Sequence, residues 1–296
     1  YIHSFPVSKE EVSLAILSGF ESDLRRKIIG VNAHIQIEAA RGDGFALNKE
    51  NEQIKNAGTP FIATSPYLEG EVAFAGNANY VGGILFGVNP IEASQVLNVF
   101  DELVSGSVEA LLQPPPAKAQ GVQDDESEFA APAPIPGVVL GTEMAKSLNV
   151  LVGDRVNIIS PTLEVLTPFG PAPRILGFEV VGIFSTKMYE YDARFAYTNL
   201  KAARQFFQVE DTHVSGLHGK LSDPNAVPRA KELVQSTLGT KFTSRGWMER
   251  NRTLFSALKL ERVVAFVVLA FIILVASFSI VNTLTMSIIE KQKEIA

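Results

Sequence analysis

VVAFVVLAFIILVASFSIVNTLTMSII, Val263 to Ile289, is the stretch on which the rest of the reading turns. No charge interrupts it, and its length exceeds the roughly 20 apolar residues a helix needs to cross the hydrocarbon of a bilayer. It is apolar on every side, as a helix among lipids or other membrane helices is. Glu261 and Arg262 stand at one end, and Glu290, Lys291, Lys293 and Glu294 at the other. Its polar residues, Ser277, Ser279, Asn282, Thr283, Thr285 and Ser287, fall in the second half. Such side chains in a membrane face other helices and bond across to them. A buried helix of a soluble core is the competing reading, but globular helices average about 11–12 residues.

Working outward, the rest of the 296 residues has the composition of ordinary soluble protein, long enough for more than one domain or subdomain. A net charge of −6 without a basic block argues against nucleic acid as a partner. Cysteine is absent, which excludes disulfides, Cys-ligated zinc and a cysteine nucleophile but fixes no compartment. Both ends read as cut. The chain stops inside the charged stretch after Ile289, and Ser13 to Phe20 reads like the tail of an apolar helix running into Glu21 to Lys27.

Between the ends, strands alternate with helices. His34 to Glu38 has the polar–apolar alternation of a half-buried strand, and Asn48 to Ala57 is a short polar helix with Gly58 as its cap. Phe61 to Ser65, Leu68 to Ala75 and Gly82 to Val88 read as strands. Glu92 to Glu109 reads as a helix on Ala93, Val96, Leu97, Phe100 and Leu103. Pro114 to Pro136 is different: prolines, Ala, Gln and an acidic clump (Asp124, Asp125, Glu126, Glu128) cannot bury a core and make a flexible linker. A β-rich unit follows, with strands at Val138–Leu140, Arg155–Ser160, Phe178–Ser185 and Phe195–Tyr197, and helices at Glu143–Leu148 and Leu200–Phe207. Last comes a strand–helix–strand: Val214 to Lys220, a helix capped by Asp223-Pro224 and ended by Gly239, and Lys241 to Arg245.

Catalytic patterns are missing. There is no HExxH, GxSxG or complete phosphate loop, and His3, His34, His213 and His218 have no metal-ligand spacing. Glu190 and Asp192, in Tyr189-Glu-Tyr-Asp192, read as turn or recognition surface. No cofactor or metal is expected, and the chain reads as a non-enzyme.

Pro161 to Gly177 is the most informative segment outside the membrane. It is long for a hairpin connection, and loops of that length are functional or disordered. Leu163, Val165, Leu166, Phe169, Ile175 and Leu176 argue against disorder, and Pro168, Gly170, Pro171 and Pro173 stiffen it. Two readings stand: a preorganised docking element for a protein partner, and a β-hairpin arm packed on its own domain.

Three stretches carry a resemblance: Ser18 to His34 (SGFESDLRRKIIGVNAH), Gly182 to Asp192 (GIFSTKMYEYD) and Trp247 to Arg262 (WMERNRTLFSALKLER). Together they resemble the permease subunit of bacterial lipoprotein-releasing ABC transporters, the LolC/LolE family within the MacB/FtsX-type permeases. The resemblance implies an α+β periplasmic domain, a split strand–helix subdomain with an inserted β-rich subdomain, followed by a transmembrane helix in the bacterial inner membrane. Residues 1–27 would then be the end of a truncated or atypical first membrane helix and connector. Residues 28–112 form the first part of the α+β subdomain, 113–137 the Pro-rich linker, and 138–210 the β-rich insert with a hook-like loop at 161–177. The α+β subdomain resumes at 211–248. A juxtamembrane helix at 249–262, the span at 263–289 and the start of a cytoplasmic coupling segment at 290–296 complete the chain.

Further expectations come from the same resemblance. The permease would pair with a second copy or a paralogue on an ABC ATPase dimer that alone hydrolyses ATP. It would extract triacylated lipoproteins from the membrane lipids and pass them to a periplasmic lipoprotein chaperone. The family's chaperone-docking hook falls on Thr167, Pro168, Phe169, Gly170, Pro171 and Arg174. Acyl chains would be held by span residues such as Phe266, Phe271, Ile272 and Val275, for which plain lipid contact is the competing reading. ATPase coupling falls on Glu290, Lys291, Lys293 and Glu294. A MacB-type efflux permease, which would carry its own ATPase domain, and an FtsX-type signalling permease are the alternatives, and a tethered periplasmic enzyme is a distant third.

Overall fold

The computed structural model describes residues 19, 29–47, 53–54, 58, 60–77, 79–112, 135–168 and 170–295. Most of the expected connector over 1–27, most of the polar helix at 48–57, nearly all of the Pro-rich linker and Phe169 lie outside them. The chain forms two units, Tyr1–Trp247 and Met248–Ala296.

In chain order the first unit contains β1 (Ile35–Ala39), β2 (Phe45–Ala46), β3 (Phe61–Ala75), β4 (Tyr80–Val88), α1 (Pro90–Val96), β5 (Leu103–Gly106), β6 (Gly137–Gly141) and α2 (Thr142–Leu148). It continues with β7 (Arg155–Thr167), β8 (Gly170–Phe184), α3 (Tyr189–Arg194), β9 (Phe195–Asn199), α4 (Leu200–Phe207), β10 (His213–Val214) and β11 (Gly216–Leu221). α5 (Val227–Leu238) and β12 (Phe242–Gly246) follow, and α6 (Trp247–Arg250) starts at the last residue of this unit.

Six of these strands close on themselves. β3 pairs β4, β4 pairs β9, β9 pairs β6, β6 pairs β8, β8 pairs β7, and β7 returns to β3 through Ala73↔Ile159 and Ala75↔Asn157. Every strand of the ring sends apolar side chains inward: Val72, Phe74, Leu85, Val138, Leu140, Val156, Ile158, Phe178, Val180 and Ala196, with Met144 and Leu148 of α2 and Phe206 of α4 in the same cluster. The alternate residues are buried as well. Phe86, Val139, Val181 and Tyr197 join a second cluster with Val96, Val99 and Phe100. Strands buried on both faces read as unbroken apolar runs, as Val138-Val-Leu140 does. The ring takes β3 and β4 from the expected first subdomain and β6 to β9 from the expected insert, so residues on the two sides of the linker share one core.

The expected break between two strands at Pro66-Tyr67 is absent: β3 is one strand, with Pro66 opposite Leu217. Up to Pro66, β3 is paired only with β11, because the β4 ladder begins at Tyr67. A missing N–H is tolerated beside such an open edge. β11, β1 and β12 extend the sheet from there, and Val234 of α5 packs with Ile37, Ile54 and Leu217.

Two sequence readings are corrected. The helix expected over 92–109 ends at Val96, and Leu97 turns extended. Val99 and Phe100 then enter the second cluster, and Leu103 pairs Phe184 in β5. The helical spacing was real, but the tertiary contacts of those side chains override it. Nor does Asp223 cap α5. Its Oδ1 accepts from Asn225 N at 2.9 Å in a local turn, and the helix begins at Val227. Gly239 (φ 75°) ends it.

In the second unit, α7 (Arg252–Ile295) is a single helix of 44 residues, so the expected juxtamembrane segment and span are continuous from Arg252. Its length, about 66 Å at 1.5 Å per residue, is twice the hydrocarbon thickness. Its most apolar 18 residues have a mean hydropathy of 3.0, and the helix up to Ile289 is long and apolar enough to cross a membrane.

Candidate functional site

Pro161 to Gly177 is not a loop but the outer half of the β7–β8 hairpin. The ladder runs from Arg155↔Glu179 to Ile159↔Ile175, breaks, and resumes from Glu164↔Pro173 to Thr167↔Gly170. Across the break, Ser160 to Leu163 on β7 oppose Arg174 alone on β8. Ser160, almost fully buried, closes the excursion by accepting from Leu163 N at 3.1 Å. A bulge of this kind bends the hairpin and re-aims what lies beyond it.

Beyond the bulge the arm is largely exposed and mostly apolar, with Glu164 its one charge, on the same side as Leu166. Leu166 is 92% exposed, faces Pro171 across the ladder, and shares that side with Pro173. Ile175 is exposed at the base. Pro171 and Pro173 have no N–H to offer, which stiffens β8 and blocks strand addition along its edge. At the tip, Gly170 adopts φ 115°, a conformation that favours glycine. Pro168 is exposed at the turn, Thr167 ends β7, and Phe169 lies outside the described residues.

Arg174 behaves differently from the other residues expected in the hook. Half-buried, it turns back from the arm, and its guanidinium donates to Gln205 O at 2.9 Å. That carbonyl is among the last four of α4, which lack intrahelical donors, and a cation there also suits the helix dipole. Arg174 therefore ties the arm to the ring. Gln205 also lines a cavity of about 600 Å³ with Val88, Asn89, Leu111, Pro136 and Asn199. Asn199 shapes it by capping α4 at Ala202 N (2.8 Å) and donating to Leu111 O (2.9 Å).

The residues read as surface at 189–192 are in fact a fastening. Asp192 is 3% exposed and accepts from Thr186 N (2.9 Å), Thr186 Oγ1 (2.7 Å) and Ser185 Oγ (3.3 Å). Tyr191 Oη accepts from Asn32 at 2.7 Å. Glu190 remains exposed. Two histidines are internal. His34 accepts from Leu221 N at 3.0 Å, and burial, then the charge of Lys220, hold its imidazole below the ordinary range. His218 stacks on Tyr67 with ring centroids 3.9 Å apart.

On α7 the four expected cavity residues are all exposed. At about 100° per residue, Phe271, Ile272 and Val275 share one side of the helix, whereas Phe266 points to the other. Among the expected coupling residues Lys291 is exposed. The side chains of Glu290, Lys293 and Glu294 lie outside the described residues.

The MacB-like periplasmic core domain matches residues 12–237. The lipoprotein-releasing system transmembrane protein LolC of Neisseria meningitidis serogroup B is 31% identical over 290 residues, covering 96% of this chain and 63% of that protein. LolC of Xylella fastidiosa is 27% identical, with 96% and 63% covered, and LolE of Haemophilus influenzae 25% identical, with 96% and 64% covered. This chain thus spans less than two thirds of the length of these relatives. Among solved structures, the periplasmic region of MacB from Actinobacillus actinomycetemcomitans matches at a TM-score of 0.45 and 16% identity, covering 77% of this chain and 94% of that one.

Proposed function

The chain belongs to the family of MacB-like periplasmic core domains, and from that premise we propose that it is the permease subunit of a lipoprotein-releasing ABC transporter. It takes triacylated lipoproteins out of the inner membrane and delivers them to a periplasmic chaperone. The similarity to LolC and LolE supports the transporter class. The observation that carries the delivery step is the hairpin arm: an exposed apolar face at Leu166, Pro171, Pro173 and Ile175, stiffened by its prolines and moored by Arg174. An arm fixed before the partner arrives loses little conformational entropy on docking.

In this reading acyl chains stay shielded throughout, because each CH₂ exposed to water costs about 0.8 kcal/mol. Phe271, Ile272 and Val275 share a face suited to an apolar cavity wall between membrane helices. Phe266, on the other side of α7, meets lipid or a different helix. ATP is hydrolysed by a separate ATPase dimer that couples to the permease through the segment at Glu290, Lys291, Lys293 and Glu294. A second permease, identical or paralogous, completes the assembly.

Reconstitution tests this. The full-length protein, with its ATPase and partner permease, is placed in proteoliposomes holding a triacylated lipoprotein, and soluble chaperone is added. Release that requires ATP and chaperone, and that Leu166→Glu or Phe169→Ala abolishes without lowering ATP hydrolysis, is the expected result. Release unaffected by both substitutions refutes the arm's role. No ATP-dependent release from the intact system refutes the function.

A further inference from the structure

Lys259 and Arg262 stand on α7 just before its uncharged run begins, and both are exposed. That run, Val263 to Ile289, is about 40 Å long at 1.5 Å per residue. A bilayer with its headgroups is about 40–45 Å thick around a hydrocarbon core of about 30 Å. Centred in the bilayer, the run therefore fills core and headgroup layers together. Arg262 then lies at the level of the phosphates, and Lys259, about 4.5 Å further along the helix, is within side-chain reach of them. Lys and Arg beside membrane spans concentrate on the cytoplasmic side. A basic pair at the end that joins a periplasmic domain calls for a local reason.

At about 100° per residue, Lys259, Arg262 and Arg252 share one side of the helix, while Glu261 lies about 160° around from Lys259. Lys259 and Arg262, three positions apart, are neighbours on the helix surface, and like charges at that spacing repel each other. An anion set between them reverses that cost. The anion found at this depth is lipid phosphate: a guanidinium takes two of its oxygens in a fork, and an ammonium beside it adds a point charge. Resting on the reading of α7 as a membrane span, we infer that Lys259 and Arg262 together hold the headgroup phosphate of an anionic phospholipid. The triacylated cysteine of the proposed cargo carries no phosphate, so the pair holds a lipid of the surrounding bilayer and not the lipoprotein. Arg252, about 15 Å from Arg262 along the helix, stands beyond the headgroup layer, which is about 5–7 Å deep on each side.

Photolabelling by lipid tests this. The full-length protein, with its ATPase and partner permease, is placed in phosphatidylcholine bilayers containing a trace of either photoreactive phosphatidylglycerol or photoreactive phosphatidylcholine. Labelling of residues 252–266 is mapped by mass spectrometry. A cation close to an anionic headgroup contributes about five-fold in preference, so phosphatidylglycerol should label the wild-type segment about five- to thirty-fold more than phosphatidylcholine. Lys259→Gln combined with Arg262→Gln should bring the two lipids close to equal. Arg252→Gln, on the same side but outside the headgroup layer, should leave the preference as it is. Equal labelling of the wild type by both lipids, a preference that survives the double substitution, or an equal loss with Arg252→Gln overturns the inference. So does cross-linking of the segment to an acidic polypeptide in place of lipid. Lipoprotein release without a lipid preference sinks the inference and leaves the permease reading intact. A preference in a protein that releases nothing does the reverse.

Discussion

Arg174 decides whether the arm is a fixed structure or a loose appendage, and Arg174→Gln tests it. The substitution removes a charged donor from Gln205 O, where the distance is 2.9 Å. Hydrogen bonds from charged groups contribute about 1.5–3 kcal/mol, and half-burial favours the lower part of that range. Losing the cation at the end of α4 costs about another 0.3 kcal/mol. A loss of about 1.5–2 kcal/mol in the opening free energy of the arm corresponds to amide exchange about ten- to thirty-fold faster. The effect should appear on the arm side of the bulge, from Glu164 to Pro173. Amides of β6 and β9, in the middle of the ring, should keep their protection. Hydrogen exchange followed by mass spectrometry resolves these segments. Unchanged exchange in the arm, or the same acceleration throughout the ring, would refute the mooring argument. The first result would make Arg174 a surface group free to contact a partner directly.

Three other outcomes follow from the packing. His34 is buried and its imidazole is held below the ordinary 6.5, so the unfolded chain takes up a proton first as pH falls. Stability is full above that value and declines below it until the folded protein also protonates; chemical denaturation from pH 7.5 to 5 should show the decline, and His34→Asn, which keeps an acceptor, should flatten it. A Cβ on Gly87 would overlap that of Ala203 on α4, so Gly87→Ala should cost about 1–3 kcal/mol by overpacking. Adding Ala203→Gly should recover much of the loss in urea denaturation, and strict additivity would contradict the close approach of β4 to α4. Asp192→Ala leaves Thr186 N and two hydroxyls without their acceptor and should lower stability by about 2–4 kcal/mol, measured by the same method.

The span was legible because its signal is additive along the sequence: a long run of apolar residues needs no partner to be recognised. α4 was read at its observed bounds, Leu200 to Phe207; the structure adds that Asn199 caps it and that Gln208 ends it in the left-handed conformation. The arm was half legible. Its outer strands were hidden because Pro171 and Pro173 read as breakers, whereas prolines are tolerated on an outlying hairpin. The bulge at Ser160–Leu163 further disrupted the alternation that marks a strand. Closure of the ring was not legible at all. It depends on a three-residue ladder between Ala73–Ala75 and Asn157–Ile159, far apart in sequence and without a local pattern. Arg174 illustrates the same limit. Its charge could be read as a feature of the hook, but its acceptor, a backbone carbonyl 31 residues away, could not.

The central claim is that the exposed apolar face of the arm receives a soluble partner. Its most direct measurement is the affinity of the full-length protein for a periplasmic lipoprotein chaperone, compared among wild type, Leu166→Glu and Tyr80→Glu. Tyr80 is 77% exposed and follows the β3–β4 turn, beside the start of β7 at the end of the ring away from the arm. If the arm is the docking surface, Leu166→Glu weakens binding about thirty-fold or more, as loss of an interface anchor does, and Tyr80→Glu leaves it unchanged. Equal affinity for all three proteins would contradict the account.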